Sequence, residues 1–125
     1  MARLLIVDEE ESLCRILEIA FRKDGHTVES VSTGQVGKEK IESGVYDVII
    51  SDIRLSDITG LELLELAHAT KKRVPFILMT AVPTVSSAVQ AVNLRAYRYV
   101  IKSESLVEDL RSIVEGALKE QTPPS

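Results

Sequence analysis

Leu4-Leu5-Ile6-Val7-Asp8-Glu9-Glu10-Glu11 joins a short apolar run to an acidic turn, and Leu13, Ile16, Leu17, Ala20 and Phe21 then follow at helical spacing. Four consecutive apolar residues suit a buried strand, and the i, i+3, i+4, i+7, i+8 pattern after them makes one apolar helix face. Gly25 stands where that helix is expected to stop. Strand, turn and helix in that order open a β-α unit.

The same order returns along the chain. Thr27-Val28-Glu29-Ser30-Val31, Val48-Ile49-Ile50, Phe76-Ile77-Leu78-Met79 and Tyr99-Val100-Ile101 are the further strand-length runs. Between and after them lie a weak helix over 32–43, a face of Leu61, Leu63, Leu64 and Ala67, and a short helix marked by Val89, Ala91 and Val92. A final face carries Leu106, Leu110, Ile113, Val114, Ala117 and Leu118. The second helix is weak because Gly34 and Gly37 each cost roughly 1 kcal/mol relative to Ala. Strands that are nearly all apolar require cover on both faces, so the expectation is an α/β fold. Right-handed crossovers make it a doubly wound five-stranded parallel sheet with helices on both faces, in the flavodoxin-like order 2-1-3-4-5.

Composition narrows the function. At 125 residues the chain fits one domain, read as 1–120, with 121–125 as a linker or tail to a possible effector domain. Fifteen Lys+Arg against nineteen Asp+Glu leave a net charge of −4, which provides no basic face for direct nucleic-acid binding. Cys14 is the single cysteine and reads as helix filler at the core boundary. There is no long apolar segment and no signal-peptide pattern, so a soluble, cytoplasmic protein without membrane association is expected.

In an open α/β sheet, ligands bind beyond the carboxyl ends of the strands. Asp8 and Glu9 follow the first run, Ser51 and Asp52 the third, Thr80 the fourth and Lys102 the fifth. Two unit charges about 4 Å apart repel by roughly 4 kcal/mol at an effective dielectric of about 20, so clustered carboxylates need a cation or a proton. The donors are hard oxygens, which match Mg²⁺, and Mg²⁺ partners phosphates. Asp52 is then an oxygen nucleophile suited to forming an aspartyl phosphate. Thr80 can donate to an anionic oxygen, and Lys102 can neutralise one.

These residues resemble the receiver domain of two-component response regulators over nearly the whole chain. The likeness is carried by Asp8-Glu9, Asp52 with Gly60 eight residues later, Thr80-Ala81, Tyr99 and Lys102. It implies that Asp52 accepts phosphate from a sensor histidine kinase, a phosphotransfer protein or a small phosphodonor. It also implies that Asp8, Glu9, Asp52 and the backbone carbonyl of Arg54 surround Mg²⁺. Thr80 is then the switch hydroxyl, Tyr99 the aromatic that changes rotamer and Lys102 the phosphoryl contact. The output surface is the fourth helix, fifth strand and fifth helix, with a possible homodimer. Asp52-Ile53-Arg54-Leu55 and Ala88-Val89-Gln90-Ala91 point to a nitrogen-regulator-like branch that controls transcription.

Four positions depart from that family's pattern. Glu9 stands where a second aspartate is usual, Ser56 where a proline is usual, Arg95 where a glycine is common, and Ser103 where a cis proline follows the lysine. Ser103 predicts a trans bond and a differently aimed Lys102, because a cis bond before a non-proline costs about 2.5–4 kcal/mol. Arg95 predicts either a strained positive φ or a reshaped loop. Tyr97, two residues from Tyr99, is expected to share its strand face. Arg54 and Val82 offer no acid or amide to orient water, so catalysis is limited to self-phosphorylation and slow autodephosphorylation. The substitutions also support an alternative, a phosphate-independent receiver that acts as a protein-docking module. A flavodoxin is disfavoured because Asp8-Glu9-Glu10-Glu11 would repel its phosphate.

Overall fold

The computed structural model describes residues 1–70 and 73–121. Strands and helices alternate as β1 (Arg3–Val7), α1 (Glu11–Lys23), β2 (Thr27–Val31), α2 (Gly34–Ser43) and β3 (Val48–Asp52). They continue as α3 (Gly60–Ala69), β4 (Phe76–Thr80), α4 (Val85–Asn93), β5 (Arg98–Ile101) and α5 (Leu106–Gln121). The five strands are parallel in the order β2-β1-β3-β4-β5, as the sequence predicts. α5 runs through Gln121, the first residue of the expected tail. Lys71, Lys72 and positions 122–125 lie outside the described residues.

Strand alternation sorts the sheet's side chains into two cores. Leu4, Ile6, Val48, Ile50, Ile77 and Met79 pack with Leu17 and Phe21 of α1 and with Leu110 and Val114 of α5. Leu5, Val7, Ile49, Phe76 and Leu78 pack on the other side with Ile41 of α2, Leu63 and Leu64 of α3, and Ala91 of α4. No helix among the described residues is long and apolar enough to cross a membrane.

Local chemistry starts and stops the helices. Thr33, Thr59 and Thr84 each accept the N–H three residues on, capping α2, α3 and α4. The two glycines that weaken α2 are both buried there. A Cβ at Gly34 would stand 2.8 Å from the Asp57 carboxylate, and one at Gly37 would stand 3.1 Å from the Val7 methyls. Close packing of α2 thus outweighs its low helix propensity. On α1, Cys14 is buried in the core rather than at its boundary, whereas Ile16, expected on the apolar face, is 52% exposed.

Arg95 has φ 63°, the strained alternative of the two expected. It ends α4 in a Schellman turn, with Arg95 N–H donating to Val92 O and Ala96 N–H to Ala91 O. Tyr97 and Tyr99 do not share a face. Tyr97 precedes β5, so strand alternation does not extend to it; it packs on the α1–α5 side while Tyr99 packs on the α3–α4 side.

Candidate functional site

The register brings four strand ends to one edge. Val7 lies opposite Ser51, Asp52 opposite Met79 and Thr80 opposite Ile101. The backbone continues to pair just beyond: Asp8 N–H donates to Val31 O, Ile53 N–H to Met79 O, and Lys102 N–H to Thr80 O. Residues up to 94 positions apart in sequence are therefore fixed by the ladder before any side chain contributes.

Lys102 is the centre of the cluster. Its Nζ lies 2.7 Å from Asp8 Oδ2, 3.1 Å from Asp52 Oδ2 and 3.7 Å from Glu10 Oε1. The peptide before Ser103 is trans, as expected, yet Lys102 still points into the pocket, which corrects the prediction of a differently aimed side chain. The attraction of two carboxylates suffices to place the ammonium without help from the following residue.

Asp8 is 1% exposed. Its Oδ1 accepts the Glu10 N–H at 2.8 Å and so turns the chain into α1, while the buried Oδ2 is held by the Lys102 ammonium at 2.7 Å. Asp52 is half-buried; its Oδ1 accepts from Arg54 N–H at 3.2 Å and its Oδ2 from Lys102. Burial pushes the Asp52 carboxyl above its ordinary range, the Lys102 charge opposes this, and the Asp8 charge adds to it. For Lys102, burial acts to lower the ammonium's pKa, but the combined pull of Asp8 and Asp52 outweighs it and leaves the pKa raised.

Thr80 is buried, and its Oγ1 accepts from Val82 N–H at 3.1 Å. Tyr99 lies further out, with its hydroxyl 2.7 Å from Ser87 Oγ in the first turn of α4. Ser87 was not singled out by sequence reasoning; the only signal was its position three residues after a threonine that could cap a helix. Glu10, which immediately precedes α1, also faces Lys102.

Glu9 does not join the cluster. It is exposed, and its Oε2 accepts from Ser56 N–H at 2.9 Å. Arg54 is exposed at the start of the loop after β3. Among the described residues, no three acidic, His or Cys side chains stand together as a ready metal cluster. The residues nonetheless fit a hard divalent cation. Asp8 Oδ2 is a buried, anionic oxygen, Asp52 supplies a second, and among the described residues both are held by the Lys102 ammonium alone.

A family model described as the response regulator receiver domain matches residues 4–115. This chain belongs to that family. Among curated relatives of this receiver domain, the regulatory protein AtoC of Escherichia coli (strain K12) is 35% identical over 120 residues, which are 96% of this chain and 26% of that protein. The receiver domain thus spans about a quarter of that relative's length. The solution structure of the beryllofluoride-activated NtrC4 receiver domain dimer matches with a TM-score of 0.87 at 26% identity, over 96% of this chain and 98% of that one. TrrA from Thermotoga maritima, solved in complex with Mg²⁺-BeF, matches with a TM-score of 0.77 at 30% identity, over 90% and 99% of the two chains. The receiver domain is therefore homologous to NtrC-like transcriptional regulators, as the shorter sequence likenesses suggest.

Proposed function

We propose that this receiver domain accepts a phosphoryl group on Asp52 and works as a cytoplasmic signalling switch. The donor is a sensor histidine kinase, a phosphotransfer protein or a small phosphodonor. The observation that carries the reading is the convergence of Asp8, Asp52 and Lys102 within ion-pair distance at the strand ends, with the Asp8 carboxylate buried. Asp8, Asp52, Glu9 and the Arg54 carbonyl would hold Mg²⁺, which when bound supplies positive charge against the phosphoryl oxygens.

A carboxylate oxygen of Asp52 attacks phosphorus, and the bond to the donor nitrogen or acyl oxygen breaks, its electron pair leaving with the donor. Catalysis of this transfer is mostly positioning and charge neutralisation. Lys102 balances the added negative charge. Thr80 gives up its contact with Val82 N–H and donates its hydroxyl to a phosphoryl oxygen. That shifts the loop leading to α4 and, through Tyr99, the surface formed by α4, β5 and α5. The surface would control an output, transcription, through a C-terminal effector domain or a homodimer. NtrC4 is described as a dimer when activated.

Treatment with acetyl phosphate and Mg²⁺ should add the mass of one phosphoryl group to the protein and none to Asp52→Asn. Equal labelling of both proteins, or of neither, would refute the assignment. A second reading, docking without phosphate, is favoured by the engagement of Glu9 with Ser56 instead of the pocket. Beryllofluoride with Mg²⁺ separates the two: amide shifts around Thr80 and Tyr99 mark a switch, and an unchanged spectrum marks a docking module.

A further inference from the structure

We infer that the Ser56 backbone N–H and a bound Mg²⁺ compete for the Glu9 carboxylate, so that residue 56 sets the metal affinity and metal uptake frees one pin of the loop between β3 and α3. The inference rests on the Mg²⁺ site proposed above.

Glu9 Oε2 accepts from Ser56 N–H at 2.9 Å, a bond between residues 47 apart in sequence. A hydrogen bond to a carboxylate is charge-assisted and stronger than a neutral one. The same loop is pinned a second time, where the Asp57 carboxylate accepts from Gly34 N–H at 2.9 Å and Gln35 N–H at 2.8 Å. Of these two pins only the first uses a group that a cation at Asp8 and Asp52 would recruit. In the pocket the buried Asp8 Oδ2 and the Asp52 Oδ2 are held, among the described residues, by the Lys102 ammonium alone, while the third acid of the site is engaged elsewhere.

Residue chemistry explains why the competition depends on this chain. Proline at position 56 would have no N–H to donate, and aspartate at position 9 would be one methylene shorter. Two positions noted as separate departures, Glu9 and Ser56, are therefore the two ends of one bond. A carboxylate that leaves Ser56 for the metal loses that bond, and the loss subtracts from metal affinity.

The test combines a variant with a direct observation of the native chain. Ser56→Pro removes the donor and should tighten Mg²⁺ binding, measured by titration calorimetry, by roughly three- to tenfold, the worth of about one solvent-accessible charge-assisted hydrogen bond. Unchanged or weaker binding in a folded variant would count against the competition. If the variant does not fold, the native protein decides. Saturating Mg²⁺ should shift the Asp8 and Asp52 amides and accelerate solvent exchange of the Ser56 amide several-fold, while Gly34 and Gln35 keep their rates. Shifts at Asp8 and Asp52 with an unaltered Ser56 rate would overturn the competition and leave the metal site standing. No shift at Asp8 and Asp52 would remove the metal site and this inference with it.

Discussion

At the scale of single residues, Asp52 carries a cost that its role explains. Burial raises its carboxyl pKa above the unfolded value, so ionising it disfavours the folded state. That cost is fully present above the folded pKa and fades as pH falls from there to the unfolded value, below which both states are protonated. Asp52→Asn should therefore raise Tm at neutral pH, and the gain should vanish below roughly pH 4, the range of an unfolded carboxyl. Thermal melts across pH check this; a gain that persists in acid would implicate packing instead. Thr80 makes a different prediction. Its buried hydroxyl holds Val82 N–H, so Thr80→Ala should destabilise the fold by about 1 kcal/mol in urea. As the proposed switch, it should leave Asp52 labelling largely intact while abolishing the phosphodonor-dependent shifts in α4. Parallel loss of labelling and shifts would show that Thr80 serves the chemistry rather than the coupling.

At the scale of elements, the two Schellman turns offer a comparison within one molecule. α1 ends at Gly25 with φ 89°, Gly25 N–H donating to Arg22 O and His26 N–H to Phe21 O. α4 ends with the same bonding, but Arg95 occupies the left-handed position. A side chain there costs roughly 1–2 kcal/mol, partly offset by the greater unfolded-state freedom of glycine. Arg95→Gly should stabilise the domain by about 0.5–1 kcal/mol in urea; a loss of stability would mean that the Arg95 side chain makes a compensating contact. These turns also show how much was legible in advance. Apolar runs and helical spacing state the element order and the sheet because burial acts on every residue of a strand. Asp8, Thr80 and Lys102 were legible because each directly follows such a run, and Asp52 because only Ser51 separates it from one. The bond from Ser56 N–H to Glu9 was not legible because a turn residue's direction is set by local hydrogen bonds, and its donor is a backbone group that side-chain patterns do not reveal. Ser87 was missed for a related reason: its contact with Tyr99 depends on how α4 is docked, which helical spacing alone leaves open.

At the scale of the whole molecule, the helices are held unequally. α5 buries Leu106, Leu110, Val114 and Ala117, and α1 buries Cys14, Leu17 and Phe21. Fully burying a side chain such as Leu is worth about 1.5–3 kcal/mol, so each of these helices is fastened by several such contributions. Within α4 only Ala91 is buried, while Val85, Val89 and Val92 are 82%, 50% and 75% exposed. Three β-branched residues in a nine-residue helix also lower its intrinsic propensity. The Thr84 cap then helps to hold it helical, and the Ser87–Tyr99 hydrogen bond is a large part of what docks it. Local opening of α4 should accordingly require much less free energy than global unfolding, whereas β1, β3 and β4, buried on both faces, should open only with the whole domain. Native-state hydrogen exchange is expected to show interior α4 amides at least tenfold less protected than those of α5. Mg²⁺ with beryllofluoride should change protection in α4 and the loop before it while leaving the sheet centre unaltered. Protection of α4 equal to that of the central strands would mean that the helix is too firmly docked to transmit the state of Asp52, and the output would have to leave by another face.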